Sequence, residues 1–130
     1  MLGELRQKGT PTVVRRWAEE LPSWIEVREV ANPLSQSELA GLHQGEREAI
    51  QLARELQAHL LLIDERSGAR FARQQGFTVT GTLGVLVEAA QLGFIPIEEA
   101  LGRLAKTNFR RTPELFAQTR ELVLKGGGRL

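Results

Sequence analysis

The chain has 130 residues, of which 42% are hydrophobic, with no Cys and a formal net charge of +1. This length suits one domain with its own core, and the lack of Cys excludes disulfide bonds and thiolate metal sites. A near-neutral charge leaves a nucleic-acid ligand open, because local clustering of basic residues decides that question. The polar N-terminal segment lacks the pattern of a secretory signal, and no apolar run approaches the roughly 20 residues of a membrane span. We therefore expect a cytoplasmic protein without a membrane segment.

The N-terminal part of the chain predicts helices on either side of a strand. Residues 1–22 have a helical pattern with a break, in which Thr10 is expected to cap a helix that has Pro11 at its first position. Residues 24–30 alternate apolar and charged side chains, which predicts a strand with one solvated face. Residues 46–57 then predict a strong helix with an apolar stripe at helical spacing.

The rest of the chain predicts two strands, each followed by a helix. Residues 60–63 are apolar throughout, which is typical of a central parallel strand covered by helices on both faces. A shorter strand is predicted over residues 77–80. Helices are predicted over residues 69–75, 83–92 and 97–106, and from Pro113 to about Leu124. We expect Gly76 to end the first of these helices and Thr82 to cap the second. The alternation predicts an α/β fold with a parallel sheet, and residues 125–130 predict a flexible tail.

Two carboxylates are candidates for chemistry at the edge of this sheet. Ligands of parallel sheets bind beyond the carboxyl ends of the strands. Asp64 ends the apolar strand and Glu46 begins the helix before it, so the two side chains can meet at one rim. Converging carboxylates bind Mg²⁺ or Mn²⁺, which relieves their repulsion, and such ions activate water in nucleases. A plainer interpretation stays open, in which Asp64 is a turn former and Glu46 a partner of the helix dipole.

A group of basic residues follows Asp64 closely. Arg66, Arg70 and Arg73 recur at helical spacing, so they can form one basic edge beside the acidic site. Such an edge suits the phosphate backbone of a nucleic acid. It is equally consistent with the spacing that these arginines pair with acidic residues on the surface.

Three segments carry a family resemblance, and they are most specific in combination. They are GEREAI over residues 45–50, LLIDERSGAR over residues 61–70 and VTGTLGVL over residues 79–86. Together they resemble a branch of the PIN-like domain family that is related to VapC-like toxins and is usually described as nucleic-acid-binding proteins of unknown function. The resemblance covers residues 20–120.

The resemblance implies a single domain over residues 1–124, built as a three-layer α/β/α sandwich around a parallel sheet. Members with an intact site are typically Mg²⁺- or Mn²⁺-dependent ribonucleases that use a small set of acidic side chains. Glu46 and Asp64 match two of these acids, and Glu4 matches the acid of an early helix. The resemblance therefore implies that Glu4, Glu46 and Asp64 are catalytic and bind the metal ion. It also implies RNA as substrate and a toxin–antitoxin role with a small antitoxin protein as partner.

The sequence departs from this family at its N-terminus. The family's first, central strand and the aspartate that ends it would precede Glu4, where this sequence has only residues 1–3. A missing central strand leaves strand edges that invite pairing with another chain, so we expect a homo-oligomer. A missing aspartate predicts weak or absent ribonuclease activity. Three explanations stay open: the true start lies upstream, the chain rearranges or dimerises through the gap, or a degenerate domain still folds. The alternative function is a non-catalytic oligomeric module that binds RNA or a protein partner.

Overall fold

The computed structural model describes residues 2–31, 41–110 and 112–126. The backbone separates into two compact units, residues 1–56 and residues 57–130. The single domain expected over residues 1–124 stays a prediction.

The first unit contains three helices. These are α1 (Leu2–Leu5), α2 (Thr12–Glu19) and α3 (Gln44–Leu56). α1 and α2 are in contact, and the guanidinium of Arg6 donates two hydrogen bonds, of 3.1 and 2.9 Å, to the carbonyl oxygen of Ala18 at the end of α2. The predicted cap at Thr10 is wrong, because Pro11 occupies the N-cap position and the Thr10 hydroxyl instead donates to the Glu4 carbonyl oxygen at 3.0 Å.

The strand predicted over residues 24–30 is also wrong. The segment is irregular, and none of its apolar side chains is fully buried: Trp24 is 80% exposed and Val27 is also exposed, while Ile25 and Val30 are half-buried. Alternation of apolar and polar residues produces a strand only when a neighbouring strand supplies backbone hydrogen bonds. Among the described residues this segment pairs with no strand. The apolar stripe predicted for α3, by contrast, is confirmed by Ile50 and Ala53, which are buried.

The second unit contains a small parallel sheet followed by helices. Its elements are β1 (Leu61–Leu62), α4 (Arg66–Gln74), β2 (Val79–Thr80), α5 (Thr82–Gln91), α6 (Ile97–Ala105) and α7 (Pro113–Lys125). β1 and β2 are parallel, with Leu61 opposite Val79, and the Ile63 amide donates to the Thr80 carbonyl oxygen at 2.9 Å. α4 crosses over between the two strands, so the mixed α/β class with a parallel sheet is confirmed. The described sheet has two strands, and the three-layer arrangement stays a prediction.

β1 is not covered on both faces as its composition predicts. Leu61 and Ile63 are buried, whereas Leu62 between them is 60% exposed. Successive side chains of a strand point to opposite faces, so the described residues cover one face of β1 and leave the other open. A continuous apolar run shows that a strand is able to bury both of its faces. Whether both faces are buried depends on which other elements pack against the strand.

Helices α5, α6 and α7 enclose the core of the second unit. Leu83, Leu101 and Phe116 form a buried cluster, one residue from each helix. Local signals of the sequence set the helix ends here as predicted. Thr112 caps α7 by accepting a hydrogen bond of 3.1 Å from the Leu115 amide, and Gly76 follows α4 with a φ of +91°, a conformation that favours glycine.

The C-terminal end of the chain differs slightly from the expectation. The tail expected over residues 125–130 begins one residue too early, because Lys125 is the last residue of α7, and residues 127–130 lie outside the described part.

No described helix has both the length and the apolar character that crossing a membrane requires.

Candidate functional site at the rim of the sheet

The rim of the second unit is formed by the carboxyl ends of its two parallel strands. Asp64 follows β1 after Ile63, and Gly81 and Thr82 follow β2 directly. Because parallel strands end at the same edge of a sheet, the residues that come after them lie side by side. Asp64 therefore meets the start of α5, although 18 positions separate it from Thr82.

Asp64 accepts two hydrogen bonds from Thr82, one at each carboxylate oxygen. Oδ1 accepts from the backbone amide of Thr82 at 2.7 Å, and Oδ2 accepts from its hydroxyl at 2.5 Å. Gly81, the N-cap residue of α5, has no side chain to offer the helix, so Asp64 satisfies a free amide of the first turn from a distance. The predicted cap by Thr82 is thus wrong, because Thr82 is the first residue of α5 and donates its hydroxyl to Asp64.

Gly81 lies unusually close to this carboxylate. A Cβ atom at position 81 would be 2.5 Å from Oδ1 of Asp64, a separation at which something must shift. The backbone of Gly81 has a φ of −121°, which any residue adopts. Glycine is therefore needed here for space rather than for backbone freedom. Sequence reasoning identified Asp64 but missed its association with Gly81 and Thr82, although the rule that placed Asp64 at the rim also applies to the residues after β2.

The Asp64 carboxylate keeps the capacity to bind a further group. A carboxylate offers about four acceptor positions, two on each oxygen, and the two bonds to Thr82 occupy one on each. The side chain is exposed. An oriented, accessible carboxylate of this kind can accept a proton or a hydrogen bond, or can ligate a hard cation.

The other two predicted acidic residues belong to the first unit. Glu46 is half-buried in the first turn of α3, and its Oε2 accepts a long hydrogen bond of 3.4 Å from the His43 amide. Glu4 is exposed on α1. No group of three or more His, Asp or Glu side chains that could hold a metal ion forms among the residues in the described ranges. The binding of Mg²⁺ or Mn²⁺ by Glu4, Glu46 and Asp64 stays a prediction.

The three arginines of α4 form a continuous basic surface, which we call the arginine face. It consists of Arg66, Arg70 and Arg73, all exposed, which together with Gln74 line an open cleft of about 430 Å³. Arg73 also donates a weak hydrogen bond of 3.5 Å to the Val79 carbonyl oxygen. One residue, Glu65, separates Asp64 from the first turn of α4, so the arginine face starts next to the rim.

The arginine face differs from other basic residues of the same unit in its charge balance. None of its three guanidinium groups forms an ion pair with an acidic residue in the described part of the chain. Arg103, in contrast, pairs with Glu99 at 2.6 Å and Arg120 with Glu98 at 2.5 Å. The hydrogen bond from Arg120 to Glu98 raises the pKa of Arg120 above its ordinary value. Pairing with surface acids, one of the two interpretations of the arginine spacing, is therefore seen on α6 and α7, whereas α4 shows none with the acidic residues that the structure describes.

In a comparison with known protein families, a family model described as a PIN domain matches residues 2–125, which is nearly the whole chain. No curated protein and no solved structure matches the sequence.

Proposed function

The chain belongs to the PIN-domain family, a family of nuclease-like nucleic-acid-binding domains, and on that premise we propose that it binds RNA through the arginine face of α4. The observation that carries the proposal is a row of exposed guanidinium groups with no acidic partner among the described residues. An unpaired arginine presents a planar fork of donors that fits phosphate oxygens.

The spacing of the arginine face also fits a nucleic-acid backbone. Its first and last residues are seven positions apart, which corresponds to about 10 Å along a helix. One strand of a duplex carries a negative charge about every 3.4 Å along its axis. The arginine face thus spans a length of about three phosphates, and each guanidinium can neutralise one of them.

Binding of single-stranded RNA, followed by fluorescence anisotropy at low salt, tests this proposal. A variant in which all three residues of the arginine face are Gln is expected to bind at least about tenfold more weakly, because phosphate contacts dominate affinity. The control is Arg103→Gln with Arg120→Gln, which removes cations that Glu99 and Glu98 already neutralise. Equal RNA affinity of the triple variant and the unmodified protein would refute the proposal.

A second function, ribonuclease activity that depends on Asp64, is supported by the oriented carboxylate at the rim. The group is exposed, and it lies one residue before the helix that carries the arginine face. RNA held along α4 would pass the carboxylate of Asp64. Dependence on Mg²⁺ or Mn²⁺, and the roles of Glu4 and Glu46, remain part of this proposal on the strength of the family resemblance.

Cleavage of RNA in the presence of Mg²⁺ or Mn²⁺ tests the second function. Asp64→Asn removes the charge but keeps an oxygen that can accept the Thr82 amide, so the start of α5 is preserved. Glu65→Gln is the matched control, because it removes the neighbouring charge and leaves the rim intact. We expect loss of cleavage in the first variant only. Equal residual cleavage by Asp64→Asn and the unmodified protein would exclude the ribonuclease.

The alternative is a non-catalytic oligomeric module that binds RNA or a small antitoxin-like protein. Its support is the open face of β1, where Leu62 is 60% exposed, since exposed apolar side chains on a sheet favour association. Light scattering over a range of concentrations is expected to give a homo-oligomer, with a shift towards the monomer in Leu62→Ser. A monomer at every concentration would contradict this alternative.

A further inference from the structure

We propose that Thr82 is a positioning residue for Asp64, which it holds in the one orientation that allows the carboxylate to act on RNA. The inference rests on the ribonuclease function proposed above and extends it to a residue that carries no charge. Thr82 itself would contact neither the phosphate nor the attacking group.

The first support is that both hydrogen bonds come from a single residue. The Thr82 amide and hydroxyl bind opposite oxygens of Asp64, at 2.7 and 2.5 Å. One hydrogen bond leaves a carboxylate free to rotate about its last torsion, whereas two bonds from fixed donors define the plane of the group. The donors are fixed because Thr82 is the first residue of α5, and α5 packs against β2, α6 and α7.

Capping of α5 accounts for only one of these two bonds. A helix start has free backbone amides, and an oxygen that accepts one of them stabilises the helix. The amide of Thr82 is such a group. The hydroxyl of Thr82 is not, so its bond to Oδ2 contributes nothing to the cap, and its effect is to set the direction of the carboxylate.

Gly81 supplies a second observation about the same group. The position that a Cβ atom would take at residue 81 is 2.5 Å from Oδ1 of Asp64. The carboxylate thus occupies the space that a side chain at position 81 would need, and a methyl group there would displace it from Thr82. Substitutions at these two positions perturb its orientation by different means.

The test compares Thr82→Val, Thr82→Ser, Gly81→Ala and Asp64→Asn for RNA cleavage, RNA affinity and stability to urea. Val keeps the shape of Thr without the hydroxyl, and Ser keeps the hydroxyl. We expect Thr82→Val and Gly81→Ala to lower kcat by about 10- to 100-fold, the usual effect of a misplaced catalytic group, while KM and RNA affinity stay within about twofold. Thr82→Ser is expected to retain most of kcat.

Two further measurements separate positioning from a purely structural role. In the double variant Thr82→Val with Asp64→Asn, kcat is expected to equal that of Asp64→Asn alone, because there is no longer a charged carboxylate to orient. The ¹H–¹⁵N NMR signal of the Thr82 amide reports its bond to Asp64 without any activity. It is expected downfield in the unmodified protein and in Thr82→Ser, and displaced in Asp64→Ala and Gly81→Ala.

The possible failures are distinguishable. If Thr82→Val cleaves RNA at the unmodified rate while Asp64→Asn does not, the inference is overturned and the ribonuclease stands. If stability falls in Thr82→Val but kcat does not, the hydroxyl bond to Asp64 only stabilises the fold and the inference is overturned. If the unmodified protein cleaves no better than Asp64→Asn, the ribonuclease and the inference fail together. If Thr82→Val does not fold, Gly81→Ala is compared with the unmodified protein and with Asp64→Asn in the same measurements.

Discussion

Substitution of glycine by alanine is expected to have opposite effects on stability at two positions of the second unit. At Gly81 the new methyl group would be 2.5 Å from Oδ1 of Asp64, so the carboxylate must move away from Thr82. At Gly102, in α6, a Cβ atom would meet nothing within 4 Å apart from the nearby backbone of its own helix. The two glycines belong to the same compact unit, so one unfolding transition reports on both.

The size of each effect follows from the contacts. Loss of a helix cap costs about 0.5–2 kcal/mol, and the bond from the Thr82 hydroxyl to an exposed carboxylate adds about 0.5–1 kcal/mol, since water can replace the donor. Alanine offsets about 0.4–1 kcal/mol by reducing the entropy of the unfolded chain. Gly81→Ala should therefore lower the free energy of unfolding by about 1 kcal/mol. Gly102→Ala should raise it by about 0.5–1 kcal/mol, because alanine is the better residue in a helix interior.

Urea denaturation followed by circular dichroism measures both free energies, and equal slopes against urea show that the unfolded states are comparable. The two variants must change the free energy of unfolding in opposite directions. If Gly81→Ala stabilised the protein as much as Gly102→Ala does, the Asp64 carboxylate would not be held by Thr82 in the space beside Gly81. The positioning role of Thr82 would then lose its second support.

Three other predictions concern RNA binding, a helix cap and the core. Replacing the three residues of the arginine face by Gln should make the slope of log Kobs for RNA against log[salt] shallower by about 2, because each phosphate contact with a single strand contributes about 0.7. Anisotropy titrations at several salt concentrations measure this slope, and an unchanged slope would contradict the prediction. Thr112→Ala should cost about 1 kcal/mol in urea denaturation through loss of the cap on the Leu115 amide, whereas Thr112→Ser should cost almost nothing. Leu101→Ala should cost about 2–5 kcal/mol, because Leu101 is 1% exposed, while Leu124→Ala, at an 87% exposed position, should change thermal stability little.

The parts of the fold that the sequence predicted well are those that local chemistry determines. Thr112 followed by Pro113 begins α7, and Gly76 ends α4, because caps and left-handed glycines act within a few residues. The two parallel strands were also predictable, since an apolar run and a short β-branched segment flank a helix of crossover length. The position of Asp64 at the rim follows from that topology alone.

The failures share a different cause, which is dependence on distant parts of the chain. The alternation of residues 24–30 is a good strand pattern, but a strand needs a partner, and among the described residues none pairs with it. Thr82 has the usual chemistry of a capping residue, yet the cap comes from Asp64, 18 positions earlier. Spacing alone likewise could not decide whether the arginine face has acidic partners, because ion pairs depend on which acidic residues the fold brings near.

The closeness of Gly81 to Asp64 has a consequence for how this sequence can change over evolution. The two positions share one small volume, so a side chain at position 81 takes the space that the Asp64 carboxylate occupies. A side chain at position 81 fits without displacing residue 64 only where residue 64 is short, as with Ser or Ala, and such a chain would place no carboxylate at the rim. Among homologous chains, aspartate at 64 should therefore be accompanied by glycine at 81, and this pairing would mark the members in which the rim retains its charge.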